Sequence, residues 1–131
     1  MKTLTLVALS LACSLAVASE HYKCVVKTAT LLSDSGDLRV TELTKVYVGE
    51  EFVVDRETGR MIGLVTNHNA SGKPTVLDLG GGDQAYKVLT IYKPKVFVDL
   101  LLVQDFVDGT TKPFLFISGP QVITGTCSAR L

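Results

Sequence analysis

The chain has no excess of either charge: lysine and arginine together number 13, and so do aspartate and glutamate. That balance leaves no clustered cationic footprint for nucleic acid and no attraction to an anionic lipid surface. Histidine is scarce. His21 and His68 are the only two, far apart and without a Cys or His at ligand spacing, so no metal site is expected and each is read as a solvated side chain. No G-x-S-x-G is present, and Ser118, in Ile117-Ser118-Gly119-Pro120, has no neighbouring base. Gly80-Gly81-Gly82 lacks the Lys-Ser/Thr that completes a phosphate loop and is read as a flexible connection. No cofactor is expected. Low-complexity tracts, internal repeats and linkers are also missing, and 131 residues is the length of one ordinary domain.

Helical periodicity is missing too. Apolar residues nowhere recur at helical spacing for three turns. What is there instead is a succession of short runs rich in Val, Ile, Thr and aromatics, separated by turn residues. Residues 24–32, 38–48, 52–55, 61–66, 75–79, 84–92, 96–107, 114–118 and 122–127 each read as a strand. This spacing predicts an all-β domain, a small antiparallel barrel or sandwich of about eight or nine strands.

The residues 96–107, VFVDLLLVQDFV, form the longest apolar run outside the N-terminus. Both alternating faces are apolar, which predicts a central strand covered on both sides. Asp99 lies inside it. A carboxylate there must be paired, hydrogen-bonded or protonated, because bare burial costs several kcal/mol. Asp99, with Tyr86 and Tyr92 of the preceding strand, is the candidate polar site at the floor of a cavity. Asp99 and Asp105 would lie about 20 Å apart along a strand, too far for acid–base partnership.

The segment 55–60, Asp-Arg-Glu-Thr-Gly-Arg, sits between FVVD and MIGLV. Gly59 falls where a type I turn followed by a left-handed residue requires glycine, so a bulged hairpin is expected, with a solvated tip. Asn69-Ala70-Ser71 matches a glycosylation sequon within the polar loop 67–73.

The N-terminus reads as a targeting segment. Lys2 supplies the positive start, residues 4–12 the apolar stretch, and Ala16-Val17-Ala18 a small-x-small cleavage site. Residues 1–18 are expected to leave as a signal peptide, and residues 19–131 to form one domain outside the cytoplasm, periplasmic or extracellular. The apolar stretch is too short to span a membrane. Lipidation at Cys13 is a rival that Ser10 disfavours. With Cys13 removed, Cys24 and Cys127 remain at the two ends of the domain and are expected to pair in an oxidising compartment.

For function, these features predict a domain that acts by binding an apolar small ligand or a partner protein, homo-oligomers included, rather than by catalysis. The alternatives are an inhibitor or assembly factor presenting a rigid loop (67–73 or 108–112), and a small hydrolase or lyase using Asp99.

Overall fold

The structure, a computed structural model, describes residues 20–130. The expected signal peptide and Cys13 lie outside the described residues. Nine antiparallel strands make a single curled sheet, a half-barrel: β1 (His21–Leu32), β2 (Leu38–Arg39), β3 (Glu51–Asp55), β4 (Met61–Gly63), β5 (Pro74–Gly81), β6 (Gln84–Tyr92), β7 (Phe97–Val103), β8 (Thr111–Ser118) and β9 (Gln121–Arg130). The order across the sheet is β4-β3-β1-β9-β8-β7-β6-β5, with β2 paired to the far end of β1. The expected all-β class is therefore correct, and no helix among the described residues is long and apolar enough to cross a membrane.

The two longest strands, β1 and β9, form the middle of the sheet. Cys24 and Cys127 are direct cross-strand neighbours there and are joined by a disulfide. The bridge thus ties adjacent strands rather than two sheets. Inward residues of β1 alternate as Tyr22, Cys24 and Val26. A bulge between Val26 and Thr28 then inserts one residue, and the inward phase resumes at Ala29. Together with Phe52, Val54, Met61, Tyr86, Val88, Leu101, Val103, Phe114, Phe116 and Ile123, these side chains fill the concave face as one core.

Several expectations need correction. Residues 38–48 do not form a strand beyond Arg39. Thr41 caps a short helix, α1 (Glu42–Lys45): its side chain accepts from the Thr44 amide, and the Thr44 hydroxyl accepts from the Thr41 amide. This reciprocal cap satisfies two amides that a strand would have to pair elsewhere, and it outweighs the β-branched composition. Residues 96–107 do not form a central strand covered on both faces. The ladder runs only from Phe97 to Val103, in the third strand counted from the β5 edge. Asp99, Leu101 and Val103 face the core, whereas Phe97 and Val98 are exposed and Leu100 and Leu102 half-buried. A single curled layer offers one interior face, so the alternate residues look outward. Finally, His21 opens β1, opposite Asp55 and Arg130, and is half-buried rather than solvated.

The hairpin between β3 and β4 has the expected turn, with Gly59 at φ +79°. Asp55 organises it: its carboxylate accepts from the amides of Glu57 and Thr58, and its carbonyl accepts from Gly59. The tip is only partly solvated: Glu57, Thr58 and Arg60 are exposed, whereas Arg56 is half-buried and Gly59 buried. It folds across the open side of the half-barrel and packs on β5 and β6. The Tyr86 hydroxyl reaches the carbonyls of Asp55 and Arg56 at 3.3 and 3.0 Å. The buried Asn67 side chain fixes the same turn, donating to Gly59 O at 2.8 Å and accepting from Met61 N at 2.9 Å. The edges β4 and β5 are thus bridged by side chains and a turn rather than by a ladder.

Gly59 consequently carries a packing constraint besides its positive φ. A Cβ there would stand 2.6 Å from Val88 Cγ1 and 3.3 Å from Val76 Cγ2. Val88 is β-branched and buried, so it has no rotamer to retreat into. Gly59→Val should lower stability by roughly 3 kcal/mol, combining the forced backbone region with overpacking. Urea unfolding checks this, and an unchanged midpoint would mean that the turn does not pack on β6.

Candidate functional site

The polar row at one end of the half-barrel follows from strand register. Thr90 of β6 is directly opposite Asp99 of β7, and Asp99 is directly opposite Ser118 of β8. Residues opposed across an antiparallel ladder share a face. The row interrupts the apolar inner face where β6 and β8 end and β7 begins. Above it the surface forms an open cleft of about 420 Å³, lined by Thr66, His68 and Asn69 from the loop after β4, by Tyr92 and Phe97, and by Asp99 and Ser118. A smaller adjoining cleft of about 120 Å³ shares Thr66 and Ser118 and extends toward Tyr47 and Gln121.

Asp99 is only 3% exposed. Its Oδ2 accepts a hydrogen bond from the Tyr92 hydroxyl at 2.6 Å. Its Oδ1 is buried and has no partner, and neither has the buried Thr90 hydroxyl next to it. No lysine or arginine among the described residues pairs with this carboxylate. Buried polar atoms in native proteins are nearly always satisfied by protein, water or ligand, and of these two Asp99 lines the cleft while Thr90 is its neighbour across the ladder. The rings of Tyr92 and Phe97, 5.9 Å apart, form an aromatic wall beside it.

His68 lies in the same cleft, half-buried rather than solvated. The Thr66 hydroxyl donates its proton to Met61 O at 3.1 Å and therefore accepts from His68 Nδ1 at 3.2 Å. Ser118, His68 and Asp99 thus share one cleft, but the histidine is oriented by Thr66 and the carboxylate is occupied by Tyr92. The hydrogen-bond chain that a serine nucleophile needs is not made.

Tyr86 does not belong with Asp99 and Tyr92. It is six residues from Tyr92 on the same face of β6, which places it roughly 20 Å away at the other end of the barrel. There it joins a second polar cluster, centred on Arg56. The guanidinium lies 4.8 Å from the Tyr22 ring centroid and 5.9 Å from that of Tyr86. It pairs with Glu20, donates to Leu79 O, and approaches Asp105, which accepts from the Tyr22 hydroxyl at 2.9 Å. Apart from a buried, unpartnered Nε, this cluster is satisfied and ties the hairpin tip to β1, β5 and the loop after β7. Sequence reasoning missed Arg56, Asp105 and Asn67, since nothing in a polar turn says which of its residues fold inward. Gly80 and Gly81 end β5 and Gly82 opens the turn to β6, all three at positive φ.

Three tyrosines carry raised pKa values. Burial raises Tyr22, assisted by its bond to Asp105. Burial likewise pushes Tyr86 up to about 12. Tyr92 is raised by burial and then by its bond to Asp99. The ordinary value, 10.0, applies in the unfolded chain. Protons therefore leave the unfolded chain first as pH rises, and the stability held by these phenols is complete below pH 10 and lost upward through 12. Stability should fall above pH 10 by up to about 1.4 kcal/mol per pH unit for each tyrosine. Urea midpoints measured from pH 8 to 12 check the slope, and native phenol absorbance titrating fully near pH 10 would contradict it.

Among the described residues no group of His, Cys, Asp and Glu is arranged to hold a metal ion. No protein family matches the chain, and no curated protein or solved structure matches it either.

Proposed function

We propose that this is an exported β domain that acts by binding, and that the cleft above Asp99 is its binding site. The observation that carries this reading is the orphaned Oδ1 of a carboxylate that is 3% exposed and lines an open cleft. A fold keeps such a group when a ligand satisfies it. The core side chains occupy the concave face, so the ligand is taken at the end of the barrel rather than inside it. The disulfide and the leader-like residues 1–18 support export to a periplasmic or extracellular location. A protein partner, or a second copy of the chain, would find exposed apolar side chains, Leu77 and Leu79 on the β5 edge among them.

A hydrolytic reading draws on the shared placement of Ser118, His68 and Asp99. The hydrogen bonds of His68 to Thr66 and of Tyr92 to Asp99 favour binding over it. Native mass spectrometry of protein isolated under mild conditions tests the binding reading. The expected result is an added small mass on a chain beginning at Ser19, lost in Ser118→Trp, which fills the cleft mouth. A mass that Ser118→Trp retains would place binding elsewhere, and a recovered chain still carrying residues 1–18 would count against export.

A further inference from the structure

The floor of the cleft restricts the chemistry of its ligand. It offers a carboxylate and hydroxyls, and no lysine or arginine lines the cleft. Asp99 Oδ1 is unpartnered, the Thr90 hydroxyl beside it is unpartnered, and Ser118 flanks Asp99 on the other side. An anionic ligand would be repelled by the carboxylate, and a purely apolar one would leave Oδ1 bare. A cation with N–H donors satisfies it. Among such cations, a guanidinium is a planar fork suited to both oxygens of a carboxylate, but Oδ2 is already engaged by Tyr92. A quaternary ammonium has no N–H to give. A primary ammonium has three donors on one compact charge, and Asp99 and Ser118, in register on β7 and β8, present side-chain acceptors at the cleft, with Thr90 next in the row. The rings of Tyr92 and Phe97 at the cleft wall add a cation–π surface and room for an apolar body.

We propose that the cleft binds a small molecule bearing a primary ammonium on an aromatic or aliphatic body, its nitrogen seated against Asp99. This rests on reading the cleft as a binding site. In the bound state the ammonium donates to Oδ1, and Tyr92 keeps its bond to Oδ2. The Tyr92 hydroxyl draws charge from the same carboxylate through Oδ2, so removing that hydroxyl should strengthen the bond of the ammonium to Oδ1.

The probes are benzylammonium, benzyl alcohol and benzoate, titrated into the 15N-labelled protein while amide shifts of residues 66–69, 92–99 and 118 are followed. Benzylammonium should bind roughly tenfold tighter than the alcohol, and benzoate should not bind. Asp99→Asn should bring benzylammonium down to the level of the alcohol, whereas Tyr92→Phe should tighten it severalfold. A merely structural Asp99 would not produce opposite effects in these two variants. Equal binding of alcohol and ammonium, unaffected by Asp99→Asn, overturns the ammonium assignment and leaves the binding cleft intact. Silence of the cleft amides toward all three probes also overturns it, and the native-mass measurement then decides the cleft separately. A tighter hold on Nα-acetyl-lysine methylamide than on benzylammonium would replace the small molecule with a lysine of a partner protein.

Discussion

Gly125→Ala should leave the domain largely unfolded. Gly125 lies on the inner face of β9, opposite Val26 and beside the bulge in β1. A Cβ at this position would stand 2.0 Å from Val25 O, 2.7 Å from Phe114 Cε1 and 3.0 Å from Lys27 N. Two of these three atoms are backbone, so no rotamer change relieves the contact. Relief requires moving β1 away from β9, the pair that forms the middle of the sheet. The third atom belongs to a buried ring that packs edge-on against Phe52 at 5.1 Å, so the aromatic core must shift as well. Overpacking alone typically costs about 1–3 kcal/mol where side chains can yield. Here the backbone must yield, and a loss above about 4 kcal/mol would consume much of the 5–15 kcal/mol that ordinarily holds a domain together. Far-ultraviolet circular dichroism and urea unfolding followed by tyrosine fluorescence give the answer. A variant that folds with its midpoint nearly unchanged would mean that the two strands can separate freely.

Removing the disulfide should have the second-largest effect. Cys24 and Cys127 are 103 residues apart in sequence, so the bridge closes nearly all of the described chain. The loop-closure entropy removed from the unfolded state by a loop of this length amounts to about 4–5 kcal/mol in the chain-entropy treatment. Both cysteines are buried in the core, at 0% and 1% exposure, so replacing both with alanine adds a small packing loss. The double variant should unfold at a much lower urea concentration, and dithiothreitol should shift the wild type in the same direction while leaving the variant unmoved. Alkylation without reduction should label neither cysteine. Labelling of both in the native protein would show that the bridge does not form.

Much of the architecture is legible from spacing. Short β-rich runs divided by Gly, Pro and Asp announce an all-β chain, because turn chemistry and period-two alternation are both local properties. The pairing of Cys24 with Cys127 is legible because only two thiols remain once the leader is set aside. Gly59 is legible because its turn demands a positive φ. Curvature is not local. Whether residues 96–107 are covered on both faces depends on how many layers the sheet makes, and that is decided by side chains far away in sequence. The same holds for Arg56. Its sequence neighbours are polar, yet the hairpin tip folds inward because Tyr86, Asn67 and Val88 receive it. Thr41 and Thr44 make a helix cap inside a segment of strand-like composition, since two reciprocal hydrogen bonds outweigh a weak propensity. At the candidate site, Asp99 stands out because an acid in an apolar run must be accounted for, and Tyr92 lies on its partner strand. Ser118 joins it through the β7–β8 register, His68 and Thr66 only through the curl of the sheet, and Tyr86 leaves it for the opposite end.

The most direct test is the stability of Asp99→Asn. The asparagine carbonyl can still accept from Tyr92, while the buried, unpaired carboxylate is replaced by a neutral amide. A group retained for a ligand, at a cost to the empty fold, should be dispensable for folding. The urea midpoint should stay the same or rise, by up to about 2 kcal/mol of stability. A loss of more than about 2 kcal/mol would contradict this, because it would make the carboxylate a structural support of the sheet and remove the reason for placing a ligand above it.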